Sequence, residues 1–556
     1  MSESLRRHVL LGSALAVSAL VVGMAFNPVP HSGGDNAGYL ALAYSLVTDG
    51  TYTEVFDPQR LAHTKYPPVF PAILAVLMWL GARTWVAFKT TAAVATIASV
   101  GLTFLWAERR LGSVPAFGVS VLLALSSAVV YYSHWILSDP VFVAFTLGAL
   151  VALDRASDDG ARPWWVALGV AAAGLAFFTR SAGLPLVVTL VAWLARERRW
   201  RALAGTAVTV GVPALAWWWR ARGGAASYAA EFWMVDPYRP ELGTVGVLGL
   251  VPRAFTNLTA YVATHGPGGI VGQETPALAI LGLALTVAAL AGWALTARER
   301  IGPAELFFAL YAGLILLWPA VWAGDRFALP LYPIVFVYGA VALRRATGRM
   351  PPPAGALVTA AAVLVLALPA GRDWLLARRE AVVCAQAARA SGPFACYGPR
   401  IAAFAEAATW AGHGLPAGSA VLSRKPRHFF VLSGVPSRTF PFDEDPDVLL
   451  SLADSLGARY VLFDQWDAQA TRYVGAAVGA RPGAFCYVVA FGDASTGAAQ
   501  LLGISPPSER DSGGVQAPSA VEIAQCPNGY VRPGAAEAYP SPARPGRVPL
   551  LDGLDS

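Results

Sequence analysis

The chain has 556 residues, of which 56% are hydrophobic and only 14% charged, and this composition excludes an ordinary soluble protein. The net charge of +6 is carried by arginines that gather in short clusters between apolar runs, with lysine at only three of the 41 basic positions. This pattern is typical of the cytoplasmic loops of a polytopic membrane protein and argues against nucleic acid as a partner.

Eleven apolar runs predict transmembrane helices. They lie near residues 8–26, 84–106, 115–133, 139–153, 163–178, 183–195, 202–219, 276–297, 304–323, 327–343 and 354–371. The first run follows a basic stretch as a signal peptide does, but its length and the lack of a small-residue cleavage site favour an uncleaved first helix. The run 69–81 is too short to cross a bilayer and predicts a helix on the outer surface.

Two independent signals predict the orientation. If the run 69–81 crossed the membrane, the arginine clusters that follow it would lie outside, contrary to the positive-inside rule. With that run at the surface, the clusters and the N-terminus are cytoplasmic and the C-terminal region is outside. All four cysteines, Cys384, Cys396, Cys486 and Cys526, then lie outside as well. Their even number predicts two disulfides in an oxidising compartment, with three connectivities possible.

The predicted fold class is an all-α polytopic membrane domain followed by an extracytoplasmic α/β domain. The membrane domain covers residues 1–371, with outer loops at 27–83 and 220–275. In the α/β domain, residues 372–504, three predicted strands (420–423, 459–463 and 485–491) alternate with helices near 400–412, 446–456 and 466–479. Residues 505–556 contain nine prolines and predict an irregular tail.

Two acidic residues stand at the predicted outer face. Asp35 follows two glycines and precedes an amphipathic helix that carries Tyr39 and Tyr44. Its carboxylate either caps this helix or takes part in chemistry, and the two roles are compatible. Asp139, in the sequence Ser-Asp-Pro, either belongs to a helix-start signal or supplies a second carboxylate.

Basic residues lie at the same predicted level. Lys65 and Tyr66 precede two prolines, and the lysine either snorkels to the interface or binds a phosphate. Lys89 lies several residues inside the second run, where snorkelling is harder. Arg180 joins two short runs, and Arg326 begins the tenth. Because ionisable groups at membrane depth are costly, we interpret Lys65, Arg180 and Arg326, together with the two carboxylates, as an active-site ring.

No cofactor motif accompanies this ring. The sequence has no Walker loop, no Gly-x-Gly-x-x-Gly opening a helix and no His-Glu-x-x-His, and its histidines near the outer face lack a spaced third metal ligand. No protein metal site is therefore predicted. A divalent cation shared by Asp35 and Asp139 remains an open alternative.

Four segments together resemble the GT-C superfamily of membrane glycosyltransferases. They are an acidic residue soon after the first run, Lys-Tyr-Pro-Pro at 65–68, Ser-Asp-Pro at 138–140 and Arg-Phe-Ala-Leu-Pro-Leu-Tyr-Pro at 326–333. The branch that these segments resemble is that of the protein O-mannosyltransferases and the bacterial lipid A aminoarabinose transferase. Residues 420–437 are also similar to a segment of the outer domain in bacterial members.

This resemblance implies an enzyme of the bacterial cytoplasmic membrane. It would move a sugar from a polyprenyl-phosphate donor to a glycan, lipid or protein acceptor on the outer face. By the resemblance, Asp35 matches the first-loop catalytic acid, Asp139 the second acidic position and Lys65 the lysine that meets the lipid phosphate, while Lys89 stands where relatives carry an arginine. The sequence departs from the family in the tyrosine between Lys65 and the prolines, and in Asn36 after Asp35, where the protein mannosyltransferases often carry two adjacent acids.

Two other functions compete with glycosyl transfer. A transporter or flippase of a lipid-linked anion would also place cations near an interface, but transporters commonly show internal repeats and paired broken helices, which this sequence lacks. A membrane-anchored scaffold or sensor would leave the ionisable groups at the interface unexplained. The sequence therefore favours a glycosyltransferase that has the lipid bilayer and a polyprenyl-phosphate donor as partners.

Overall fold

The computed structural model describes residues 2–220, 222, 228–272, 278–493, 495–510, 523–534 and 547–551. Parts of the predicted second outer loop and most of the predicted tail therefore lie outside the described residues. The chain divides into two compact units. The first comprises Met1–Phe26, Thr64–Phe70 and Lys89–Ala381, and the second comprises Asn27–His63, Pro71–Phe88 and Val382–Ser556.

Helices dominate the chain up to residue 391. In chain order they are α1 (Glu3–Ala25), α2 (Gly34–Thr48), α3 (Val69–Trp79), α4 (Trp85–Leu111), α5 (Ser113–Leu125), α6 (Ser127–Tyr132), α7 (Ser138–Ala156), α8 (Trp164–Thr179), α9 (Leu184–Arg196), α10 (Trp200–Thr206), α11 (Val212–Arg220), α12 (Tyr228–Trp233), α13 (Leu250–Ala260), α14 (Gly266–Val271), α15 (Leu278–Glu299), α16 (Pro303–Leu317), α17 (Asp325–Ala328), α18 (Tyr332–Thr347) and α19 (Pro352–Ser391).

Every predicted apolar run has a helical counterpart. Among the described residues, five helical stretches are long and apolar enough to cross a membrane, namely α1, α4, Trp200–Arg220, α15 and α19. Several other apolar helices are shorter, including α5, α8 and α16. Mostly helical architecture is thus confirmed, while the number of crossings stays a prediction. The run 69–81 is helical as expected, and forms α3.

Local sequence explains several of the breaks between helices. The predicted run 115–133 is divided at Ser126, whose extended backbone (ψ 131°) separates α5 from α6. Pro185 and Pro303 lie in the first turns of α9 and α16, where proline's missing N–H costs nothing. A π-helical turn, Ala207–Gly211, joins α10 to α11.

The second unit contains a small mixed sheet. Its described strands are β1 (Val421–Leu422), β2 (Ser437–Arg438), β3 (Tyr460–Asp464), β4 (Phe485–Asp493) and β5 (Gly497–Ile504), and its order is β2-β1-β3-β5-β4. The pairs β1–β2 and β1–β3 are parallel, whereas β3–β5 and β4–β5 are antiparallel. The three predicted strands correspond to β1, β3 and β4, and the sequence analysis missed β2 and β5.

Helices of the C-terminal region pack against this sheet. They are α20 (Pro399–Gly414), α21 (Pro426–Ser433), α22 (Pro446–Leu456) and α23 (Gly475–Ala480). The short helix α24 (Pro507–Arg510) follows β5 and has no buried residue. A buried core that includes Leu422, Leu449, Val461 and Leu502 joins strands to helices. Both predicted disulfides form, and the structure selects Cys384–Cys396 and Cys486–Cys526 from the three possible connectivities.

Candidate active site

Two arginines of the first unit converge on one carboxylate. Arg180 follows the end of α8 and donates to Asp139 Oδ2 at 2.6 Å, while Arg326 of α17 donates to the same oxygen from Nε at 3.0 Å and lies 2.9 Å from it at Nη2. Arg180 also donates to Ser138 Oγ at 3.2 Å. The Asp139 side chain is only 4% exposed, so these charge-assisted bonds lie away from bulk solvent.

The Ser-Asp-Pro segment therefore does more than begin a helix. The helix α7 begins at Ser138, and its N-cap, Leu137, offers no side-chain hydrogen bond. Asp139 lies in the first turn, where the helix dipole favours a negative charge. Its position makes it the common partner of Arg180 and Arg326, which come from sequence positions 41 and 187 residues away.

Tyrosines hold the segment that carries Arg326. The Tyr132 hydroxyl donates to Asp325 Oδ1 at 3.0 Å, and the Tyr332 hydroxyl lies 3.2 Å from the carbonyl of His265 and 3.4 Å from that of Asp325, which share its proton. The Tyr311 hydroxyl donates to the carbonyl of Phe327 at 3.0 Å. These bonds hold a helix of only four residues, α17, in a fixed place. The direction of the Arg326 guanidinium is therefore set by its surroundings.

Lys65 lies in a polar and aromatic environment of the same unit. Its ammonium donates to Glu231 Oε1 at 2.8 Å and lies 5.3 Å from the ring centre of Tyr228 and 5.4 Å from that of Trp322. The Lys65 side chain is 25% exposed and that of Glu231 12% exposed. Lysine is therefore not simply extended toward an interface, because a carboxylate and two rings hold its charge in place.

The two other predicted binding residues of the first unit are more deeply buried. Tyr66 is 7% exposed, and Lys89, in α4, is fully buried. Complete burial of Lys89 argues against snorkelling, because snorkelling requires the ammonium to reach water. Both residues stay predictions as substrate contacts.

Asp35 belongs to the second unit, in the first turn of α2. The N-cap of this helix is Gly33, so Asp35 interacts with the helix dipole from inside the first turn and is not the capping residue. The loop before it is fixed by a hydrogen bond from Gly33 N–H to His31 Nδ1 at 2.9 Å. The ring of His428, on α21, hydrogen-bonds to the His31 backbone and interacts electrostatically with Asp35.

Ionisable groups cluster at the carboxyl ends of β1 and β3 in the same unit. Burial, together with the neighbouring charge of Lys425, lowers the pKa of His428 to about 4. Burial raises the pKa of Asp464 to about 6, in spite of a hydrogen bond from the Trp466 amide that acts in the opposite direction. Neither His428 Nε2 nor Asp464 Oδ2 has a hydrogen-bond partner within the described part of the chain. His428 is therefore neutral near pH 7.

The described residues contain no group of three or more His, Cys, Asp or Glu side chains arranged to hold a metal ion. Asp139 Oδ2 accepts hydrogen bonds from two arginines, and these bonds make the carboxylate a poor ligand for a divalent cation.

Sequence reasoning missed several residues around these groups. Only the structure identifies Glu231 and Trp322, which contact Lys65, and Tyr132, which contacts Asp325. The one available signal for Glu231 was a carboxylate between aromatic residues at the predicted outer face. His428 lies within the segment 420–437 that resembles the outer domain of bacterial relatives, but no motif marked its contact with the Asp35 loop.

Comparison with known proteins agrees with this architecture. Residues 65–219, which include Lys65, Asp139 and Arg180, match the dolichyl-phosphate-mannose-protein mannosyltransferase family. ArnT from Cupriavidus metallidurans, in its structure bound to undecaprenyl phosphate, has a TM-score of 0.53 at 15% identity, covering 88% of this chain and 97% of ArnT. The oligosaccharyltransferase AglB from Archaeoglobus fulgidus, in complex with an inhibitory peptide and a dolichol-phosphate, has a TM-score of 0.53 at 15% identity.

The two structural matches are extensive. The alignment with AglB covers 88% of this chain and 74% of AglB. No curated protein sequence matches the chain significantly. At these identities the similarity establishes the fold, and it confirms the resemblance that the four sequence segments predicted: the chain has the fold of the GT-C membrane glycosyltransferases.

Proposed function

We propose that this protein is a membrane glycosyltransferase that moves a sugar from a polyprenyl-phosphate donor to an acceptor hydroxyl on the outer face of the bacterial cytoplasmic membrane. The observation that carries the proposal is the convergence of Arg180 and Arg326 on Asp139 in a chain with the GT-C fold. Two guanidinium groups oriented by one carboxylate present N–H donors in the fork geometry that fits phosphate oxygens.

The leaving group of this reaction requires positive charge nearby to stabilise it. The acceptor oxygen bonds to the anomeric carbon as the bond from that carbon to the phosphate oxygen breaks, and its electron pair leaves with the polyprenyl phosphate. Negative charge therefore grows on the phosphate in the transition state. Arg180 and Arg326 would stabilise that charge, and Lys65 would contribute a third cation.

The acceptor hydroxyl must lose its proton in the same step. Asp35 is the proposed general base, because it is the first-loop carboxylate of the family resemblance and lies in a helix turn whose dipole favours a negative charge. A well-placed base contributes roughly 10²–10⁴ in rate. The loop before it, which is hydrogen-bonded by His428, would keep this carboxylate in position.

Asp139 fits a positioning role better than proton transfer. Its Oδ2 atom accepts hydrogen bonds from two arginines and so directs both guanidinium groups. Glu231 accepts a hydrogen bond from the Lys65 ammonium. Each proposed phosphate-binding cation is therefore paired with a carboxylate.

The test is binding and turnover in nanodiscs with the full chain. Undecaprenyl phosphate, the product common to all such donors, should bind the wild type, and Arg180→Lys should weaken binding at least about tenfold because lysine lacks the fork. Arg298→Lys, at an exposed position at the end of α15, is the matched control and should bind normally. With undecaprenyl-phosphate-linked hexose and pentose donors, turnover should release undecaprenyl phosphate.

Two results would count against the proposal. If Arg180→Lys binds undecaprenyl phosphate as tightly as the wild type, the arginine pair is not the phosphate site. If proteoliposomes move an intact lipid-linked sugar between leaflets without releasing undecaprenyl phosphate, the protein is a transporter.

A further inference from the structure

A groove of about 1160 Å³ runs along α8 in the first unit, from the residues before the helix to Phe178 near its end. One wall carries Ala167, Ala171 and Gly174, and the facing wall, formed by α10 and the π-helical turn, carries Gly205 and Thr209. These small side chains leave space between the helices. A Cβ atom added at Gly205 would meet nothing within 4 Å, so the groove is open at this point.

The groove is surrounded by exposed apolar surface. Leu175, which lines it, is 40% exposed, and Val208 beside it is 65% exposed. In a membrane-spanning region such a surface faces acyl chains, and a groove lined by methyl and methylene groups has the shape and polarity that a single chain fills.

One end of the groove is basic. Arg198, Arg199 and Arg201 line it beside Ala161 and Pro163, which precede α8. Arg199 is engaged, because it donates to the carbonyl of Ala156 at 2.6 Å and lies over the Trp193 ring.

Arg198 and Arg201 are exposed, and their guanidinium groups have no hydrogen-bond or ion-pair partner within the described part of the chain. Arg198 has a φ of 53°, a left-handed conformation in which glycine would be the ordinary residue. The turn between α9 and α10 thus presents a basic side chain at a position that normally carries none. Trp200 between them is 61% exposed, as tryptophans at headgroup level commonly are.

We propose that this groove binds an anionic phospholipid of the cytoplasmic leaflet. An acyl chain lies along the small-residue walls, and the headgroup phosphate contacts Arg198 and Arg201. Charge complementarity selects an anionic lipid over a zwitterionic one, and the positive-inside rule predicts that this arginine cluster faces the leaflet where anionic lipids concentrate.

This site is distinct from the proposed donor phosphate site. The basic end of the groove lies at the start of α8, whereas Arg180 follows its end. Sixteen helical residues separate these two ends by about 24 Å. A polyprenyl phosphate held by Arg180 therefore cannot place its phosphate on Arg198, and the inference does not depend on the proposed glycosyl transfer.

Native mass spectrometry of the delipidated full chain tests the proposal, with phosphatidylglycerol and phosphatidylcholine of identical acyl chains as probes. The wild type should retain phosphatidylglycerol preferentially. The double variant Arg198→Gln/Arg201→Gln should lose about 30-fold in affinity for phosphatidylglycerol and keep its affinity for phosphatidylcholine. Arg345→Gln/Arg349→Gln removes the same charge from two exposed positions near the end of α18 and should change neither affinity.

A second variant tests the groove itself. Gly205→Leu fills the open space and should reduce retention of phosphatidylglycerol, whereas Gly12→Leu, on α1 and equally free of neighbours within 4 Å, should not. Equal retention of the two lipids by the wild type, or equal losses in the target and control variants, would overturn the proposal. It would also be overturned if Gly205→Leu lost undecaprenyl phosphate but kept phosphatidylglycerol, because the groove would then hold the donor's chain.

Discussion

Removing the carboxylate of Glu231 should make undecaprenyl phosphate bind more tightly. Glu231 Oε1 lies 2.8 Å from the Lys65 ammonium, the group that we propose contacts the lipid phosphate. A phosphate oxygen that binds the same ammonium must approach this carboxylate. The substitution Glu231→Gln removes the negative charge and leaves a carbonyl oxygen that can still accept a hydrogen bond from Lys65 and orient it.

The size of the effect follows from this geometry. Two oxygens at hydrogen-bond distance from one tetrahedral nitrogen lie about 4.6 Å apart. At an effective dielectric constant of about 20, two unit negative charges at this separation repel by about 3–4 kcal/mol. Because the two side chains are 25% and 12% exposed, solvent screens part of this repulsion. We expect a net gain of about 1.4 kcal/mol, which is about a tenfold lower Kd.

The assay is a titration of the full chain in nanodiscs with undecaprenyl phosphate. Glu241→Gln is the control, since it removes a carboxylate from an exposed position in the same predicted outer loop. Lys65→Ala should weaken binding, and Glu231→Gln should have a smaller effect in that background. Unchanged or weaker binding by Glu231→Gln alone would refute the reasoning, and an equal effect of Glu241→Gln would assign the change to overall charge.

Three further predictions concern other carboxylates. Asp35→Asn should abolish sugar transfer in a turnover assay without affecting insertion into the membrane, whereas Asp49→Asn, at the C-cap of the same helix, should retain it. Asp139→Asn should raise the donor KM more than it lowers kcat, because it disorders two arginines; a fall in kcat alone would indicate proton transfer. The variant Asp464→Asn should lose about 3 kcal/mol of stability in the second unit between pH 6.5 and 4, because His428 is protonated more easily in the unfolded state than in the folded state. Hydrogen exchange of β3, corrected for the intrinsic exchange rates, measures this loss.

The wild type should show a weaker pH dependence than Asp464→Asn over this range. The folded-state pKa of Asp464 is raised, so its contribution to stability is present at low pH and is lost as pH rises through about 6. The folded-state pKa of His428 is lowered, so its contribution is lost as pH falls toward about 4. The two contributions change in opposite directions between these pH values, and an equally steep loss in the wild type would contradict this account.

The helices were predictable from the sequence because each apolar run is too long and too hydrophobic to lie in an exposed loop. The three most apolar strands were predictable for a similar reason. The edge strand β2 has only two residues, too few for a periodic pattern. The strand β5, with the sequence GAAQLLGI, is rich in glycine and alanine and has low strand propensity, so its pairing with β3 and β4 decides its conformation.

The site was predictable as a set of residue types but not as a set of pairs. Asp139, Arg180 and Arg326 could each be identified from the sequence, because placing an ionisable group at an apolar boundary costs free energy and so indicates a function. Their joint contact depends on how α7, α8 and α17 pack, over separations of 41 and 187 residues, which local patterns do not encode. For the same reason the sequence did not predict the contact between Glu231 and Lys65.

Each proposed phosphate-binding cation is paired with a carboxylate, but the two carboxylates, Glu231 and Asp139, should affect phosphate binding in opposite directions. Unpaired cations near a low-dielectric region would repel one another and pay a large desolvation cost, so a resting phosphate site needs internal anions. Glu231 contacts a single flexible ammonium and therefore competes with phosphate, whereas Asp139 fixes two guanidinium groups that would otherwise diverge. Neutralising Glu231 should strengthen lipid phosphate binding and neutralising Asp139 should weaken it. If both substitutions shifted affinity in the same direction, charge alone would explain the site and the positioning role of Asp139 would be wrong.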